Sequence, residues 1–173
     1  MSIPLLIISI VFFIASIVMI FVREMLSPVA AFLGLLFMWL SDALPLNSTI
    51  VIMWLCMAVL VTCIPMLQDM SLRNSRHGLG YMTSGAFVGL AVGLLGVSFG
   101  SSAPMLYGVM IVAVAVGVFF GFMLYTNTPD GKSRNIAFRR SFSYLLAKGF
   151  PIAITVMQIG IVLVLLILVN QIK

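Results

Sequence analysis

The chain has 173 residues, of which 63% are hydrophobic and only 8% charged, with a formal net charge of +5. Soluble domains carry about 25% charged residues, so composition excludes a water-soluble globular enzyme. It also excludes a separate catalytic or nucleic-acid-binding module, because no polar segment is long enough to bury a core of its own. The apolar runs lack the alternation of barrel strands, which leaves helices to satisfy the backbone in lipid. The predicted fold class is all-α: a polytopic integral membrane protein of six transmembrane helices, with residues 1–173 forming one transmembrane domain.

Span one is expected at residues 3–22. No basic stretch precedes it and no small-residue cleavage site follows, so it is expected to be retained as a helix. Span two, at 27–46, opens with Pro28 in its first turn and reads AAFLGLLFMWLSDALP. Span three, at 49–67, holds Cys56 and Cys63 two turns apart, which suits small packing residues better than a redox pair. Thr62 is a candidate polar contact there, and Pro65 predicts a kink near the helix end. The following loop carries Arg73, Arg76 and the lone His77.

Span four, at 80–100, has glycines at positions 85, 89, 93, 96 and 100. Such spacing is costly in water, where each helical glycine loses roughly 0.5–1 kcal/mol relative to alanine. In lipid it opens a flat face for close helix approach. Span five, at 104–126, offers a matching row, and the short SSAP connection makes it the antiparallel neighbour. The predicted packing residues are therefore Gly85, Gly89, Gly93, Ala113, Gly117 and Gly121, while Gly96 and Gly100 leave a face for another subunit.

The segment 127–149 contains DGKSRNIAFRRSFSYLLAKGF. Phe138, Phe142 and Leu145 fall on one helical side, which predicts an amphipathic helix in the membrane interface. Arg134, Arg139, Arg140 and Lys148 are its expected contacts to anionic lipid or to a partner. Span six, at 150–170, starts with Pro151 in its first turn and carries Thr155 and Gln158. An amide inside lipid needs a partner, so Gln158, Thr155 and Thr62 are expected in a polar pocket or an interhelix contact. Val164 is expected to face lipid.

A faint repeat links these spans. Ala-Phe-x-Gly-Leu occurs at 31–35 and 86–90, and Asp-x-x-x-Arg-Asn at 69–74 and 130–135. The hairpin of spans two and three then predicts a parallel copy in spans four and five, with spans one and six flanking. In the six-span scheme Arg23, Arg73, Arg76, Lys132, Arg134, Arg139, Arg140 and Lys148 share one side, and Lys173 alone lies on the other. The positive-inside rule places that basic side in the cytoplasm and both termini outside; a bacterial cytoplasmic membrane is the expected location.

Glu24, Asp42, Asp69 and Asp130 are the only acids, each at a span end or in a loop. One histidine and four peripheral acids assemble no catalytic site, metal site or cofactor site. The expected function is that of a non-enzymatic membrane-embedded subunit of a larger inner-membrane assembly. The alternative is a small six-helix transporter, or a substrate-binding membrane module, for an apolar or uncharged solute. Expected partners are membrane lipids and other membrane subunits or a second copy, with no nucleic acid.

Overall fold

The computed structural model describes residues 3–44, 46–67, 77–95, 103–133 and 138–171, most of them helical and none of them in a strand. The helices are α1 (Ile3–Arg23), α2 (Ser27–Leu40), α3 (Ser48–Cys63), α4 (Leu79–Leu95), α5 (Ala103–Asn127), α6 (Pro129–Ser133), α7 (Phe138–Tyr144) and α8 (Phe150–Gln171). Three stretches are long and apolar enough to cross a membrane: Ile3–Arg23, Tyr107–Asn127 and Ser141–Val169. Three shorter apolar helices, α2, α3 and α4, accompany them. The chain is a membrane-embedded helical protein.

Local chemistry sets several boundaries. Pro28 stands in the first turn of α2, where its missing N–H costs nothing. Asn47 caps α3 by accepting a hydrogen bond from the Thr49 amide at 3.2 Å. The bend expected at Pro65 takes the form of a tightened 3-10 turn at Ile64–Leu67. Gly78 precedes α4 with φ +76°, a left-handed conformation that glycine tolerates, and a methyl group there would fall 2.7 Å from the Tyr125 ring.

α8 is the hub. It packs on α1, α2, α3, α4 and α5, and 67% of the most apolar 18 residues within Ser141–Val169 are buried, against 17% within α1 and 28% within Tyr107–Asn127. Span six, expected as one of the two helices unmatched by the repeat, is the most enclosed of the three long stretches, and Val164, fully buried, does not face lipid as expected. The expected interfacial helix is corrected as well. Helix continues without a break from α7 through a π-helical segment, Leu145–Gly149, into α8. Pro151 thus lies inside a long helix rather than at its start. Proline lacks an N–H and crowds the carbonyl four residues back; the preceding wide turn, in which the Phe150 amide reaches the Leu145 carbonyl, relieves that conflict.

α2 packs chiefly on α1, while α4 packs chiefly on α5. Ser9 Oγ ties the first pair by donating to the Gly34 carbonyl at 2.7 Å. The Asp-x-x-x-Arg-Asn loops, with Arg73, Arg76 and Arg134, and the glycines Gly96 and Gly100 lie wholly or partly outside the described residues. Cys56 and Cys63 are exposed, not packed, because α3 is an edge helix touching mainly α2 and α8.

Candidate functional site

The six small residues singled out on spans four and five meet within one chain. A methyl group built on Gly85 would fall 3.2 Å from Gly121 Cα and against the Gly117 carbonyl. One on Gly89 would fall 2.9 Å from Val114 Cα and against the Ala113 carbonyl. One on Gly93 would fall 2.9 Å from Met110 Cα. Backbone touches backbone along the whole pair, as close packing without a hydrophobic drive requires. On the outer side this closeness leaves a shallow apolar groove of about 410 Å³, floored by Gly85, Gly89, Gly117 and Gly121 and walled by exposed Val88 and Phe120.

The polar groups collect elsewhere, on one side of α8 and its π segment. Lys148 forms an ion pair with Glu24 from the turn between α1 and α2, and the two side chains are 1% and 8% exposed. Lys148 is thereby corrected from a lipid or partner contact to a buried group: the π turn and the continuous helix carry it inward. Breaking such a pair by removing one partner costs about 3–5 kcal/mol, because the other charge stays buried.

Two helical turns further along, Thr155 Oγ1 lies 2.9 Å from Ser27 Oγ and 2.8 Å from the Pro151 carbonyl. Ser27 Oγ donates to the Ser16 carbonyl at 2.8 Å. A hydroxyl has one proton. Ser27 can spend its proton on the Ser16 carbonyl and Thr155 its own on the Pro151 carbonyl, so the two hydroxyls bond to each other when one of them gives up its carbonyl, and this linked set joins α8, α2 and α1. All three side chains are fully buried.

Gln158 comes three residues later, also fully buried, and neither its Oε1 nor its Nε2 has a hydrogen-bond partner among the described residues. Thr83 Oγ1 on α4 and the Tyr125 hydroxyl on α5 are buried and unpartnered in the same sense. Thr62 does not join this group. Its hydroxyl donates to the Ala58 carbonyl of its own helix at 2.6 Å, so the expected interhelix contact is corrected to a local one.

Around the ion pair the chain ends of several helices converge. The Tyr144 hydroxyl donates to the His77 carbonyl, the Phe122 and Tyr144 rings stack at 6.1 Å, and the Tyr81 and Tyr125 rings meet at 6.1 Å. The 3-10 turn at Ile64–Leu67 packs on the π segment. His77 itself is exposed. Arg139 and Arg140 lie on α7, but their side chains fall outside the described residues.

Sequence reasoning missed the Glu24–Lys148 pair. A signal was present: FVREMLSPV and LLAKGFPIA put opposite charges against apolar spans on the same side of the topological count. Among the described residues no three His, Cys, Asp or Glu side chains group to hold a metal ion. No family profile, curated protein or solved structure matches this chain.

Proposed function

We propose that this chain is a non-enzymatic, six-span transport module that binds and passes a small uncharged solute, with α8 as its working helix. The observation that carries this reading is the buried polar file on α8, from Lys148 paired with Glu24, through Thr155 with Ser27, to unpartnered Gln158. At 1.5 Å per residue it extends about 15 Å along the helix, half of a hydrocarbon core of about 30 Å. Ionisable groups inside a membrane are costly and mark pathways by default, and Glu24 and Lys148 are both buried. An assembly subunit would be favoured by a lack of buried charge and by glycines free to meet a partner. Buried Glu24 and Lys148, and glycines engaged within the chain, weaken both grounds.

An opposed pair has no net charge with which to attract an ion, so the path suits a neutral solute. Six crossings fit the way the ends of α1, α3 and α5 and the starts of α2, α4 and α8 meet around Glu24, His77, Tyr125 and Lys148. The basic residues concentrate there in the sequence, which puts this end in the cytoplasm and both termini outside, in a bacterial cytoplasmic membrane. The subunit reading keeps one favouring observation, the glycine-floored groove on the outer side of α4 and α5, which a ridge of a partner helix would fit.

Stopped-flow swelling of proteoliposomes tests the transport reading. After an osmotic step with glycerol or acetamide, vesicles holding the protein should re-swell several-fold faster than protein-free vesicles for at least one of the two. Equal rates for both solutes would contradict it. Co-purification of a stoichiometric membrane partner in mild detergent, with no such flux, would favour the subunit reading.

A further inference from the structure

We infer that Gln158 is the solute-recognising residue of this protein, and that its ligand is a small neutral molecule offering a hydrogen-bond donor and an acceptor side by side, as a primary amide does. The inference rests on the transport reading and names its substrate class. A buried glutamine that fixes helix packing does so by bonding a neighbouring helix. Gln158 makes no such bond among the described residues, through either amide atom, although it is fully buried. Thr155, on the same side of the same helix, has both Ser27 Oγ and the Pro151 carbonyl within hydrogen-bond distance. The lack of partners is therefore particular to Gln158 and not a property of the whole face.

A desolvated amide with both atoms idle is a free-energy cost that an occupant would remove. The edge of the Gln158 side chain offers a carbonyl oxygen and an N–H together. Another primary amide completes both with two parallel hydrogen bonds, which a single hydroxyl does less well. Charge is disfavoured in the occupant, because Glu24 and Lys148 already neutralise each other and a lone ion would stay uncompensated.

The test uses the full-length protein in mild detergent, with acetamide as the probe and N,N-dimethylacetamide, which has no N–H, as the control. Acetamide should raise the unfolding temperature of the wild type saturably, as a ligand of the native state must. Dimethylacetamide should not. Gln158→Leu and the unbranched Gln158→Met should be at least as stable as wild type without additive, because an idle amide has been removed, and should not respond to acetamide. A response shared by wild type and both variants, or absent from wild type, would overturn the inference and leave a resident water as what Gln158 holds. Flux separates the two levels. Acetamide flux lost in Gln158→Leu supports recognition by Gln158. Flux unchanged in that variant refutes recognition while transport stands. A wild type that takes up neither acetamide nor glycerol refutes transport itself, whatever the thermal shift.

Discussion

Replacing Gly89 by leucine should separate α4 from α5. Gly89 is buried, and its first added carbon would lie 2.9 Å from Val114 Cα and 2.8 Å from the Ala113 carbonyl carbon. These are backbone atoms, so no rotamer change can give way. Overpacking against side chains that can adjust typically costs 1–3 kcal/mol, and a collision with backbone belongs at the upper end of that range or beyond. For a chain of this size 1 kcal/mol shifts the unfolding temperature by about 2–4 °C, so about 3 kcal/mol corresponds to a fall of about 6–12 °C. The control is the adjacent Val88→Leu, at a side chain 63% exposed, where surface changes stay within about 0.5 kcal/mol. Heating in detergent followed by size-exclusion recovery of monodisperse protein reads both variants. Equal midpoints for Gly89→Leu and Val88→Leu would refute the close-packed pair.

Thr155→Val should lower stability by about 1 kcal/mol, since it cuts the link to Ser27. Thr62→Val should be nearly neutral, because its hydroxyl only bonds back within α3; a loss at Thr62 matching that at Thr155 would overturn the distinction. In a background lacking Cys56 and Cys63, single cysteines at Ser75 and Ser133 should resist an impermeant maleimide added outside intact cells, and one at Ser2 should react. Labelling of Ser75→Cys or Ser133→Cys from outside would reverse the proposed topology.

The glycine pair was legible in the sequence because lipid removes the usual reason for large apolar contacts and leaves small-residue spacing as the signal. Which helix stands at the centre was not. In water an apolar face marks the core, but α1 and α8 are both apolar all round, and lipid satisfies either equally. The informative residues were the few exceptions: Lys148, Thr155 and Gln158 lie on α8 and the π segment that leads into it, whereas α1 offers serines. Pro151 suggested a helix start, because a proline inside a helix ordinarily breaks it. The π segment removes that conflict and turns a loop lysine into an internal one. Helix periodicity assumes 3.6 residues per turn and cannot foresee a wider turn, so both the interfacial helix and the lipid contact of Lys148 were misplaced by one cause.

The charge swap at Glu24 and Lys148 tests most directly whether α8 carries a buried polar path closed by this pair. Glu24→Lys and Lys148→Glu, made singly, each set like charges together inside the bundle and should cost at least the 3–5 kcal/mol of a broken buried pair. The double variant Glu24→Lys/Lys148→Glu restores opposite charges at the same place and should recover most of the loss in unfolding temperature. A double variant as unstable as the two single losses added together would show that the two side chains do not meet, and the path on α8 would lose its charged end.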